Sequence, residues 1–204
     1  MSVLKTVTGK RPKLIGTDLD GTIVAHYGFI SERTKIAFTA AHKAGIHIYF
    51  VTGRPIRWMS ELKDNFNFGT GICGNGALLY DFINQKILEQ WLFSPESQLE
   101  TVKRLREVIP LVNFAVEIDE QFHREKDYLA RWDVGIDNVG VNKIEEVINK
   151  PALKILARCG DASMSSDEMM SVATKALVGI ATVTHSNSTD SLLEISADGV
   201  SKEI

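Results

Sequence analysis

The sequence predicts an α/β fold: an open parallel sheet flanked by helices, with a large α+β unit inserted into it. Three observations carry this. Short apolar runs alternate with helical patterns between Leu14 and Ala77, as in successive βαβ units. Each run ends in a polar segment: Asp18-Leu19-Asp20-Gly21-Thr22, Thr52-Gly53-Arg54-Pro55 and Asn75-Gly76-Ala77. Beyond Ala77 the regular alternation gives way to strands and helices in mixed order.

Residues 1–13 form a polar lead, and 14–19 predict a buried strand. Ser31 is a candidate N-cap. Ile36, Ala37, Ala40, Ala41 and Ala44 then recur at helical spacing, and Gly45 ends the helix as a C′ residue. Residues 46–51 predict the second strand, 56–65 a second helix and 71–73 a short third strand. Right-handed crossovers bring the C-terminal ends of all three strands to one sheet edge, where open α/β sheets bind ligands.

The inserted unit is expected to open with a hairpin over 78–91 around Asn84. Helices are predicted at 95–108, 126–132, 143–149 and 166–178, and strands at 112–118, 153–159, 180–185 and 191–195. The predicted boundaries are 1–81 and 187–204 for the sheet domain and 82–186 for the inserted cap, a lid over the crevice. Trp58, Trp91 and Trp132 read as packing residues, and His42 and His47 as structural ones.

Composition narrows the function classes. The chain has 204 residues, 44% hydrophobic and 24% charged, with net charge −3. That balance argues against nucleic-acid or polybasic membrane binding. No apolar run approaches the roughly 20 residues that span a bilayer. A cytoplasmic protein is expected, with Cys73 and Cys159 as small buried residues. A dinucleotide-binding enzyme is disfavoured, because no Gly-x-Gly-x-x-Gly follows the first strand.

The candidate chemistry starts at Asp18 and Asp20. Side chains two apart on a strand share a face, so both carboxylates can converge as the strand runs into its loop. Gly21 allows the turn that follows. Paired carboxylates at a strand end suit a hard cation, and one of them can serve as a nucleophile.

These segments, followed by Gly199-Val200-Ser201-Lys202, resemble the haloacid dehalogenase superfamily, in particular its Cof-type sugar-phosphatase branch. The resemblance covers nearly the whole chain. It implies a Rossmann-like core with a large α/β cap inserted after the third strand. It implies Asp18 as nucleophile, Asp20 as general acid and base, Thr52 as a donor to the phosphoryl oxygens and Lys202 as the balancing cation. Mg²⁺ would be held by an Asp18 carboxylate oxygen and the Asp20 backbone carbonyl. Gly21, Gly53, Arg54 and Asn75 complete the candidate substrate-binding set. Arg54 is placed for a phosphate or sugar contact or for a salt bridge, and Asn75 for a substrate contact or a turn.

The superfamily carries a further acidic Gly-Asp-x-x-Asn-Asp block after the lysine, and this chain stops at Ile204 without one. Gly160-Asp161 with Asp167-Glu168-Met169 imitates the block but precedes Lys202, so its acids are read as loop and helix-start residues. The expectation is a truncated member with an incomplete core, an exposed first strand open to dimerisation, and little or no phosphatase activity.

His26 and Tyr27 are expected in a solvated loop, and Glu117, Asp119, His123 and Arg124 are cap residues that can face the crevice. The leading expectation is a Mg²⁺-dependent phosphatase of small phosphorylated metabolites such as sugar phosphates. The rivals are a phosphomutase of the same superfamily and a non-catalytic binding protein.

Overall fold

The computed structural model describes residues 11–25, 28–132, 134–135 and 137–202. His26 and Tyr27 lie outside the described residues.

Strands β1 (Leu14–Asp18), β2 (His47–Val51) and β3 (Thr70–Cys73) pair in parallel, with Leu14 opposite His47 and Tyr49 opposite Thr70. The crossover between β1 and β2 is helix α1 (Glu32–Lys43), which starts where Ser31 Oγ accepts from Thr34 N at 3.1 Å. It ends before Gly45, whose φ of +80° suits a residue without a Cβ. The predicted apolar stripe of α1 packs only in part. Phe38 and Ala41 touch the core, while Ile36 is 69% exposed. Beneath α1 lies β2, where Phe38 packs on Phe50 with ring centres 6.1 Å apart, and the helix buries no residue fully.

Residues 56–65 are not one helix. A 3₁₀ turn (Ile56–Trp58) and the short α2 (Ser60–Asn65) meet at Met59, whose side chain is fully buried. Around it Phe50, Phe66, Phe68 and Phe82 pack as an aromatic cluster, with Phe50 and Phe66 ring centres 5.2 Å apart.

The hairpin β4 (Leu78–Asp81) and β5 (Lys86–Gln90) extends the core sheet instead of opening the inserted unit. Asn75 (φ +61°) and Gly76 (φ +103°) turn the chain back at once, so Leu78 pairs with Cys73 in antiparallel register. The core sheet is therefore ordered β1-β2-β3-β4-β5, with β1 at its edge as expected.

The second unit is an antiparallel sheet ordered β7-β6-β8-β10-β9, built from β6 (Val112–Ile118), β7 (Gln121–Arg124), β8 (Lys154–Cys159), β9 (Ala181–Thr184) and β10 (Leu192–Ala197). Strand alternation gives this sheet two faces. One carries Phe114, Val116, Ile155 and Ile195, which pack against α3 (Pro95–Val108) and α4 (Ser166–Ala176). Both helices carry strong caps: Ser94 accepts from Ser97 N, and Ser165 and Glu168 form a capping box.

Three expectations for this unit are corrected. Residues 126–132 are not helical. Lys126 N bonds to Val141 O at 2.9 Å, and buried Glu125 accepts from Phe114 N and Ile144 N, so these groups reach across the fold. Strand β7 was not predicted. Its two-residue turn, Asp119-Glu120, has both φ positive (+50° and +61°) without the glycine that signals such a hairpin. Finally, β10 pairs with β8 and β9 and so lies in the cap sheet, not in the core where 187–204 was placed. The chain re-enters the core only after Ala197.

Candidate active site

The open face of the cap sheet stands over the C-terminal ends of β1, β2 and β3. Between them lies a crevice of about 530 Å³. Asp18 and Asp20 line its core side, with Gly53, Arg54 and Lys202.

The turn after β1 explains how the two carboxylates reach it. Leu19 is fully buried and its carbonyl accepts from the backbone N–H of Thr22, Ile23 and Val24 at 2.9–3.1 Å. With Leu19 pinned inward, Asp18 and Asp20 on either side point outward, with side chains 48% and 59% exposed. Gly21 has φ +76° and closes the turn by donating to Val24 O. It shapes the loop and does not line the crevice.

Arg54 grips Asp20. Its Nε donates to both carboxylate oxygens at 3.0 and 3.1 Å, and Nη2 donates to Oδ1. Lys202 Nζ stands 3.7 Å from Asp18 Oδ1. The returning segment is seated on Gly76, where an added Cβ would fall 2.0 Å from Ser201 O. Only glycine permits that approach, so Gly76 is what lets Lys202 come down to Asp18.

Two predicted residues have other duties. Thr52 is 1% exposed, and its Oγ1 accepts from Arg54 N at 3.1 Å. Its hydroxyl shapes the 52–54 turn and does not line the crevice. Asn75 is buried and donates from Nδ2 to Glu194 Oε2 at 3.0 Å, which ties the core to β10. Gly53 fits beneath it, since a Cβ there would lie 2.8 Å from Asn75 Oδ1.

Several crevice residues were missed by sequence reasoning. Buried Lys154 of β8 donates to Gly53 O at 2.8 Å and pairs with Glu194 at 2.5 Å. Burial pushes the Glu194 carboxyl up. Lys154, the Asn75 amide and Lys202 outweigh that and hold it below the usual carboxylate range. The available signal was a charge inside two apolar strands, Lys-Ile-Leu-Ala-Arg-Cys and Leu-Leu-Glu-Ile-Ser-Ala. Arg57 of the core pairs with buried Glu117 of β6 at 2.6 Å. Of the four cap residues proposed to face the crevice, Glu117 alone lines it. Trp58 and Trp132 line it too, and Trp91 is 45% exposed.

The imitation acidic motif stays apart. Asp161 accepts from Cys159 Sγ at 3.0 Å and from Ser163 N at 3.0 Å, and these bonds hold its carboxyl down at about 2. It does not line the crevice. Cys73 is buried, which pushes its thiol up to about 12.

Mg²⁺ usually takes one or two carboxylates and fills its shell with water and substrate oxygens. Among the described residues there is no group of three or more acidic, histidine or cysteine side chains that could hold a metal. The exposed Asp18 carboxylate and the Asp20 carbonyl are oxygen donors of the kind Mg²⁺ takes. The donor set therefore fits the ion in kind. No helix among the described residues is long and apolar enough to cross a membrane.

The structure resembles known phosphatases. The phosphatase BT1666 of Bacteroides thetaiotaomicron superposes with a TM-score of 0.74 at 18% identity, over 99% of this chain and 73% of that one. The subclass IIB sugar phosphatase BT4131 does so with a TM-score of 0.65 at 20% identity, over 93% and 72%. In sequence, the 5-amino-6-(5-phospho-D-ribitylamino)uracil phosphatase YitU of Bacillus subtilis (strain 168) is 27% identical over 72% of this chain and 56% of its own length. Two further relatives match over 30% and 33% of theirs, so the chain spans about half or less of the curated relatives it matches. The family model for haloacid dehalogenase-like hydrolases matches residues 15–204. With that match across almost its full length, the chain belongs to the haloacid dehalogenase-like hydrolase family.

Proposed function

We propose that this protein transfers the phosphoryl group of small phosphorylated metabolites, sugar phosphates among them, to water, with Mg²⁺ as cofactor. The observation that carries the reading is the convergence of Asp18, Asp20, Arg54 and Lys202 at the floor of one crevice. Family membership and the phosphatases named above support it.

Asp18 attacks phosphorus and forms an aspartyl-phosphate as the bond to the leaving oxygen breaks. Asp20 gives that oxygen a proton, then takes one from the water that cleaves the acyl-phosphate. Mg²⁺, held by an Asp18 oxygen and the Asp20 carbonyl, would neutralise charge between carboxylate and phosphate. Lys202, 3.7 Å from Asp18, adds positive charge at the same carboxylate.

Arg54 has a step of its own. Its guanidinium occupies the Asp20 carboxylate, and Asp20 cannot deliver a proton while so held. Incoming phosphoryl oxygens offer Arg54 a second bidentate partner. Substrate binding thus draws Arg54 away and frees Asp20.

Phosphate release from p-nitrophenyl phosphate tests the reading. Release that rises with Mg²⁺ and vanishes in Asp18→Asn supports it. Release that ignores Mg²⁺, or that survives in Asp18→Asn, overturns it.

A further inference from the structure

Three backbone carbonyls lie along the turn after β2, and the core itself holds two of them. Thr52 O accepts from Asn75 N at 3.1 Å, and Arg54 O accepts from Gly74 N at 3.0 Å. The middle one, Gly53 O, accepts from Lys154 Nζ at 2.8 Å, and Lys154 belongs to β8 of the cap. The other end of that peptide is held too, since Arg54 N donates to Thr52 Oγ1. The Gly53–Arg54 peptide is thus pinned at its N–H by the core and at its C=O by the cap.

The pin acts where the chain is least restrained. Asn75 packs where a Cβ on Gly53 would go, so the position takes glycine, the residue with the freest backbone. Arg54, whose guanidinium grips Asp20, follows at once. On its far side Pro55 restricts the Arg54 backbone. The freedom in the seat of Arg54 is therefore concentrated in Gly53, and Lys154 removes it. Lys154 is buried and pairs with Glu194, which Asn75 also holds. A buried ion pair is by itself weak evidence of stabilisation. Here the ammonium also reaches into the core, and its second bond goes to the peptide ahead of Arg54.

We infer that Lys154 is a positioning residue: by fixing the Gly53–Arg54 peptide it orients Arg54 toward the phosphoryl group, so that the arginine is fully seated only when the cap is docked. The inference rests on the phosphatase reading. It adds a cap residue that acts on the turn of the core without touching the reacting atoms.

Gly53-Arg54 is the only Gly-Arg step in the sequence. Labelling the full chain with ¹³C-carbonyl glycine and ¹⁵N-arginine therefore gives one carbonyl–amide NMR cross-peak, from this peptide. Lys154→Met combined with Glu194→Gln leaves no lone buried charge, so the variant should stay folded by circular dichroism. In the ligand-free variant the peak should move. Orthovanadate binding with Mg²⁺, followed by tryptophan fluorescence, should weaken about tenfold, the worth of one hydrogen bond. Glu117→Gln weakens the other core–cap ion pair, with Arg57, and should leave the peak in place. Lys154→Arg serves where the double variant is too unstable to measure. It keeps a cation against Glu194, but its planar head does not set a single donor on the carbonyl as an ammonium does, so the same two changes are expected. A peak that stays in place in a folded variant overturns the inference alone. So does a moved peak with unchanged vanadate affinity, or an equal displacement in Glu117→Gln, which would assign the effect to cap docking in general. Failure of the unaltered chain to bind orthovanadate overturns the phosphatase reading and this inference with it.

Discussion

In the cap, α3 and α4 bury Val102, Leu105, Met169 and Ala173 against one face of the sheet, whereas α1 in the core has no fully buried residue. The cap sheet has covered strands at its centre, and every residue of β8 is buried. The core sheet ends in β1, where Leu14, Gly16 and Asp18 are all exposed. One unit is thus organised around its own interior. The other carries the candidate nucleophile Asp18 on an edge strand with no fully buried residue and holds it through Leu19 and the returning Val200–Lys202 segment. Substitutions in the cap interior are therefore expected to cost more stability than those on the exposed face of α1.

The largest contrast is expected at Phe114. It is fully buried at the centre of the cap, and Phe114→Ala should lower unfolding free energy by about 3–5 kcal/mol. Urea denaturation followed by far-UV circular dichroism checks it. A loss below about 1 kcal/mol would show that the cap does not have the tight interior drawn here.

Next comes the junction between the two units. Lys154→Ala leaves Glu194 buried without its cation, and truncating one partner of such a pair costs about 2–5 kcal/mol. The change should also separate cap from core, and so weaken the near-UV signal of the Trp58–Trp132 pair. A stable variant with that signal intact would mean the pair does not join the units.

Acid tests the same junction more gently. The Glu194 carboxyl is held below its ordinary value, so it stabilises the folded state at pH above the unfolded carboxylate range, about 4.3. That stability is lost as pH falls through its folded value. Glu145 is held down in the same direction; burial opposes the shift and hydrogen bonding to Arg106 favours it, so the cap interior also weakens in acid. The near-UV tryptophan signal should fall below about pH 4, and Glu194→Gln should flatten that dependence while the Glu145 part persists.

The same contrast explains what could be read in advance. Residues 95–108 and 112–118 were legible to the residue, because Ser94-Pro95 and a sustained apolar period belong to the segment itself. Asp18, Asp20, Arg54 and Lys202 were legible as a motif, and the structure brings them together. Lys154, Glu194 and Trp132 were not, because they reach the crevice only through the pairing order of the cap sheet. That order depends on turns such as Asp119-Glu120, which carry no glycine or asparagine to mark them. The duties of Thr52 and Asn75 were hidden for a related reason. Each bonds to a partner set by the turn or by the cap, and a strand-end position alone does not name that partner.

The smallest effect on stability is expected on α1. Ile36 is 69% exposed, so Ile36→Ser should change unfolding free energy by no more than about 0.5 kcal/mol. Its effect on association should be larger. Leu14 on the edge strand β1 is exposed, as are Phe29 and Ile36 in the segment and helix that follow it, and among the described residues an open strand edge invites pairing with a second chain. If two chains pair through this edge, Ile36→Ser shifts sedimentation toward the monomer at equal concentration. Two results would break the comparison. Strong destabilisation would show that α1 is packed as firmly as α3 and α4. Unchanged association would move the contact away from β1 and α1, leaving the edge strand protected by its short length and by Asp18 at its end.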